Sequence, residues 1–138
     1  MRQRGTLTVE FALMVPALVL LFGIIIGGAR VWLARGAVEQ VAGAAARAAS
    51  LERTAGSAQV AAKRLAGAQA AVGGLRCQTL SIQTNTSAFA APVGSPGRVE
   101  VTARCEVPLA DVLVPGWPGT VLVSATSSEV VDSYRGRK

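Results

Sequence analysis

The sequence predicts an α+β fold. A long N-terminal helix, membrane-spanning in its first half and exported and amphipathic in its second, is followed by a small antiparallel sheet of about three strands. Three observations carry this prediction. Nineteen residues without a charge run from Phe11 to Ala29. Small apolar residues then recur at alternating spacings of three and four, the period of a helix with one buried face. Toward the C-terminus apolar and polar residues alternate singly, the period of a strand with one buried face.

The uncharged run accounts for the first element. At about 1.5 Å per residue it spans roughly 28 Å as a helix, close to the ~30 Å hydrocarbon core of a bilayer. A removable secretory signal fits less well, because such signals carry an apolar region of about 7 to 15 residues and a small-residue cleavage site. Here the apolar run continues into Arg30-Val31-Trp32-Leu33. A buried helix of a soluble protein would need a large surrounding core. The remaining sequence, almost free of Phe and Leu, does not supply one. Arg2 and Arg4 precede the run while Arg30 and Arg35 follow it, so the distribution of basic residues does not choose an orientation. The short N-terminal tail and the two distal cysteines place the long portion outside, where a disulfide persists. Trp32 is the expected interfacial anchor at the outer end, and Pro16 is expected to bend or loosen the helix locally.

Beyond the anchor, Val31, Ala34, Val38, Val41, Ala45 and Ala48 form the helical stripe. It resumes after a one-step slip as Leu51, Ala55, Ala58, Ala62, Leu65 and Val72, with Gly56-Ser57 as the expected weak point or break. Gly73-Gly74 is the expected end of the helix. A seam of alanines permits close approach but gains little from each side chain. It packs against a neighbouring helix, against the chain's own sheet, or against both.

The strand prediction is firmest for Arg98 to Val107, where Cys105 falls on the apolar face. Val121, Val123 and Ala125 mark a second strand and Cys77 to Thr84 a weaker one, joined to the first by a Ser-, Ala-, Pro- and Gly-rich connection from Asn85 to Gly97. Pro108, Pro115 and Pro118 bound the loop between the later strands. Cys77 and Cys105 are the only cysteines. They form either a disulfide that staples a thin core or two free buried thiols. Two thiolates without a histidine do not complete a zinc site, so no metal or other cofactor is expected.

Composition narrows the function. Of 138 residues 51% are hydrophobic but only 4% aromatic, so large-residue packing is scarce outside the apolar run. The net charge of +6 is scattered, without the interleaved aromatics that stack bases, and no nucleic-acid partner is expected. With no histidine there is no Ser-His or Cys-His pair, and Glu39, Glu52, Glu100, Glu106, Asp111, Glu129 and Asp132 are spaced as isolated charges. A non-enzymatic role is expected. Gly23-x-x-x-Gly27, inside the apolar run, reads as a close-packing face for a neighbouring helix.

Glu10 stands at the mouth of the apolar run. A charge there is costly and marks function unless it stays hydrated in the headgroups, where the helix N-terminus also favours it. Five positions earlier is Gly5, with basic residues before it. Gly5, four residues, then Glu10-Phe11 resembles the processing site of type IV prepilins. Val9-Glu10-Phe11-Ala12-Leu13, Pro16 and the alanine-rich stretch from Val41 resemble the TadE-like pseudopilin family, most strongly over residues 4 to 50. Val107-Pro108-Leu109 and Val131-Asp132-Ser133-Tyr134-Arg135 resemble, with less specificity, family members that end in a small sheet.

The resemblance implies a pilin-like fold and a minor pilin-like subunit of a tight-adherence (Tad or Flp) pilus-assembly system. It implies cleavage after Gly5 by a membrane prepilin peptidase, with Thr6 as the new N-terminus. Glu10 then neutralises the free amine of an adjacent subunit, a pairing in which each group relieves the other's desolvation cost. Phe11 stands where major Flp pilins carry Tyr, and the exported part is far longer than theirs, which favours a minor or initiating role. The implied partners are the prepilin peptidase, other pilin-like subunits, Tad membrane platform proteins and membrane lipid. The expected organisation is a leader over 1–5, a transmembrane helix over 6–30, an exported alanine-rich helical region over 31–74 and a small β-rich domain over 75–138. The chain is expected to cross a bacterial cytoplasmic membrane once, N-terminus inside and C-terminal domain outside, at the cell surface or with the pilus. The alternatives are a signal-anchored surface protein without a pilus role and a secreted enzyme or inhibitor freed from its signal, beginning near Val31.

Overall fold

The computed structural model describes residues 6–112 and 118–134, with side chains from 10 to 110 and from 118 to 134. The architecture is α+β, with two helices packed on one face of a three-stranded antiparallel sheet. The first helix, α1 (Thr6–Ser50), has 45 residues and continues through Pro16. Its length is about 68 Å, far more than the rest of the module can cover.

Only the distal half of α1 enters the core. Val38, Val41, Ala42, Ala45, Ala46 and Ala49 are fully buried or nearly so, at the three-and-four spacing of one helical face. The buried line passes through Ala49, and Ala48 beside it is half-buried. The sequence pattern picked out one edge of a stripe two residues wide.

The helical region does not run on as a single rod. Residues 51–54 reverse the chain and a second helix, α2 (Ala55–Val72), returns along α1. Thr54, rather than Gly56-Ser57, marks the break. Its extended backbone and its hydroxyl, which accepts the Ser57 N–H at 3.1 Å, form the N-cap of α2. The Ser57 hydroxyl donates back to the Thr54 carbonyl at 3.1 Å. Gly56 simply occupies the first turn.

The reversal resets the helical phase. Ala58, Ala62, Ala66 and Ala70, four apart, are the buried residues of α2. Leu51, Leu65 and Val72, expected on the stripe, are instead 63%, 39% and 85% exposed. Close approach of two helices selects the small side chains for the contact and turns the larger ones outward. Each buried methyl contributes only about 0.8 kcal/mol, so the contact depends on many small terms. As expected, the helix ends at Gly73-Gly74. The Leu75 N–H donates to the Ala70 carbonyl at 3.0 Å and the Gly74 N–H to that of Ala71 at 3.3 Å. These are the paired bonds of a Schellman motif, which requires the left-handed backbone of Gly74 (φ 64°).

The sheet is a meander in the order β1 (Thr79–Asn85), β2 (Gly97–Pro108), β3 (Thr120–Val131). The central strand shows the predicted alternation, with Val99, Val101, Ala103, Cys105 and Val107 all buried. Leu80 lies opposite Cys105 and Ile82 opposite Ala103, while on the other side Val123 pairs with Cys105 and Ala125 with Ala103. β3 continues six residues past Ala125 to Val131. Its second half escaped the pattern because Ser127 and Glu129, facing the helices, are polar. The outer face is polar apart from the exposed Leu122 and Val130, and the Thr102 and Thr126 hydroxyls meet there at 2.9 Å.

The connection between β1 and β2 contains a short 3-10 turn, Ser87–Ala90, whose Ala88 is buried against β2. Gly97 is required at this contact, since a Cβ on it would lie 2.8 Å from the Ala88 Cβ. Gly97→Ala is therefore expected to destabilise the module by about 1 to 3 kcal/mol, measured as a lowered thermal midpoint of the purified chain. An unchanged midpoint would show that the turn is not packed there.

Cys77 and Cys105 form a disulfide with a Cα–Cα distance of 5.3 Å and a sequence separation of 28. It ties the segment entering β1 to the middle layer of the sheet. Of the two alternatives read from sequence, the bridged one is observed.

Candidate functional site

The orientation of the module follows from contacts between α1 and β3. A Cβ added to Gly43 would sit 3.9 Å from the Ser127 hydroxyl, and four residues on, Arg47 Nη2 lies 4.0 Å from Glu129 Oε1. Both elements thus advance in the same direction. The Arg47–Glu129 pair is exposed and contributes little stability. Extrapolating back along β3, its first residues lie near the level of Arg30. The end of α2, the start of β1 and the facing ends of β2 and β3 at Pro108 and Thr120 therefore gather where the uncharged half of α1 ends. The Leu109 N–H donates to the Gly119 carbonyl at 2.9 Å across the base of the β2–β3 loop. Of the prolines expected to bound it, Pro108 ends β2 and Pro118 lies in the loop, while Pro115 is outside the described residues.

Below this level α1 is bare. Every side chain from Glu10 to Ile26 is exposed, including Phe11 at 69%, Leu20 at 68% and Ile24 at 70%. Burying a Leu, Ile or Phe side chain is worth roughly 1.5 to 3 kcal/mol, so such a surface is unstable in water and calls for an apolar environment. By length and composition α1 is the one helix among the described residues able to cross a membrane.

The residues singled out from sequence lie at the two ends of this bare half and within it. Gly5 falls outside the described residues, as do Arg2 and Arg4, and Thr6 opens α1. Glu10 follows one turn later, exposed and adjacent to Phe11. Gly23 and Gly27 share a helical face. A Cβ added to Gly23 would meet nothing within 4 Å, so no part of the described chain covers that position. Glu10 is about 30 Å from Arg30 along the helix axis, so the chain's own folded module does not reach it.

A feature not anticipated from sequence lies at the base of the module. The Gly73–Arg76 turn stands against α1 between two adjoining clefts. The larger, about 760 Å³, includes Trp32, Leu33, Arg35, Glu39, Gln69 and Leu75 in its lining. The smaller, about 250 Å³, is lined in part by Arg30, Leu33, Arg76 and Val107. Arg76 reaches this place only because α2 folds back. No local signal in the sequence joins it to Arg30. Among the described residues no group of three or more Cys, Asp or Glu side chains is placed to hold a metal ion.

Comparison with known proteins agrees with the motif reading. The family model described as TadE-like protein matches residues 5–47, the bare half of α1 together with most of the half that enters the core. No curated protein and no solved structure matches the chain.

Proposed function

We propose, from the TadE-like match over residues 5–47, that this chain is a minor pilin-like subunit of a tight-adherence pilus-assembly system. The single observation that carries the reading is the coincidence of that match with a helix whose residues from Phe11 to Ile26, directly after Glu10, are all exposed and apolar. In this role residues 1–5 are a leader, removed after Gly5 by a prepilin peptidase. The helix from Thr6 to about Arg30 crosses the cytoplasmic membrane once. The alanine-rich hairpin and the sheet stand outside as one module, where the Cys77–Cys105 bond is stable.

The proposed chemistry is association rather than catalysis. Cleavage creates an ammonium at Thr6, and the Glu10 carboxylate of a neighbouring subunit offsets its charge as the bare helices bundle. In a low-dielectric bundle neither group is tolerable alone. Gly23, which is exposed, and Gly27, one turn on and buried between the larger side chains of the same helix, mark the close-approach face for such a helix. The partners are the peptidase, other pilin-like subunits and the Tad membrane platform proteins.

Coexpression with a cognate prepilin peptidase tests this reading. The chain is expected to shorten by five residues, and Gly5→Ala is expected to block the shortening. A chain that keeps its full mass beside an active peptidase would instead be a plain signal-anchored surface protein.

A further inference from the structure

We infer that the clefts at the base of the module form a binding site for the phosphate headgroup of an anionic phospholipid. The inference rests on the membrane reading of α1. If the uncharged run ends at Ala29, then Arg30, Trp32 and Leu33 stand within about 6 Å of the hydrocarbon boundary along the helix axis. The headgroup layer on each side of a bilayer is roughly 5 to 8 Å thick. The smaller cleft, whose lining on α1 begins at Arg30, therefore opens into the layer that contains lipid phosphates, and the near edge of the larger one, at Trp32 and Leu33, adjoins that layer.

Their lining suits that ligand. Arg30 and Arg76 line the smaller cleft, and Arg35 lines the larger one beside Trp32. Arg30 and Arg76, from chain segments more than forty residues apart, thus line one cleft, while Arg35 lines its neighbour together with Glu39, which lies a turn farther from the membrane. A guanidinium matches a phosphate with two parallel hydrogen bonds, which an ammonium does not. Leu33 and Trp32, 64% and 74% exposed, offer apolar surface for the upper part of an acyl chain.

A protein partner with an acidic surface offers the same charge but not the acyl chain that Leu33 and Trp32 are placed to meet.

The test uses the full chain in lipid nanodiscs of pure phosphatidylcholine or of a mixture with phosphatidylglycerol. Lipids retained on release are counted by native mass spectrometry. Phosphatidylglycerol is expected to be retained over phosphatidylcholine on the order of a hundredfold, given about 1 kcal/mol for each of the three arginines at an anionic surface. Arg35→Gln with Arg76→Gln is expected to abolish the preference, whereas Lys63→Gln with Arg64→Gln, on α2 away from the clefts, keeps it. Equal retention of the two lipids, or a preference that survives loss of Arg35 and Arg76, overturns the proposal. So does displacement of the retained lipid by equimolar glycerol phosphate, which would assign the site to a soluble phosphate. Incorporation is read separately. A chain that enters neither disc overturns the membrane reading itself, and one that enters both without lipid preference overturns only the headgroup site.

Discussion

Replacing both bridging cysteines, Cys77→Ala with Cys105→Ala, is expected to lower the stability of the module by about 3 to 4 kcal/mol. The bond closes a loop of 28 residues, and in the chain-entropy model the open loop returns that much conformational freedom to the unfolded chain. The rest of the core cannot easily absorb the loss. It is built from alanine and valine, and its largest fully buried side chains are Val38, Val41, Val99, Val101 and Cys105. For a domain of this size each kcal/mol corresponds to about 4 to 8 °C, so the midpoint should fall by at least about 12 °C. Reductant should produce a similar fall in the native chain and none in the double variant. A loss below about 1 kcal/mol would mean that the helical hairpin and sheet hold together without the bridge.

Glu10→Gln is expected to leave the folded module intact and to weaken association between subunits more than a hundredfold. The side chain is exposed and far from the core, so nothing in the module depends on it. In the proposed bundle, however, Gln keeps the size of Glu and removes the charge that offsets a neighbouring N-terminal ammonium. Breaking one side of a buried pair costs about 3 to 5 kcal/mol, because the other charge is left uncompensated. At about 1.4 kcal/mol per factor of ten, the lower figure already exceeds a hundredfold. Cross-linking between subunits in membranes measures the effect, and an unchanged thermal midpoint separates it from misfolding. Normal cross-linking of the Gln variant would remove Glu10 from the interface.

Much of this architecture was legible because the relevant residues obey a single constraint. The uncharged run from Phe11 to Ala29 has the length and composition of a membrane-spanning helix, and β2 reads as a strand because every second residue from Val99 to Val107 is buried. The bridge was a choice between two states of two cysteines. The helical reversal was harder. Alanine occupies both the buried and half-buried lines of α1, so composition could not distinguish Ala48 from Ala49. A one-step slip in a long stripe looks the same whether a helix continues or folds back. The signal was local: Thr54 followed at the third position by Ser57 is a capping pattern, and it outweighs Gly56 as the mark of a helix start. β3 was read short because Ser127 and Glu129 face the helices, Glu129 approaching Arg47.

The candidate site divides in the same way. Gly5, Glu10, Gly23 and Gly27 were visible from spacing, since each lies in a stretch where one residue type breaks an otherwise uniform pattern. The cleft at the base was not, because Arg76 joins Arg30 and Arg35 only through the return of α2. Whether the spacing at the N-terminus has the proposed meaning depends on an event outside the fold, the removal of five residues.

The most direct test of that event is the N-terminus of the protein isolated from the membranes of its own cells, determined by mass spectrometry. A membrane-bound chain that begins at Thr6 is the predicted result. A chain that retains Met1 in cells with active prepilin peptidase, or a soluble chain that begins near Val31, would contradict it.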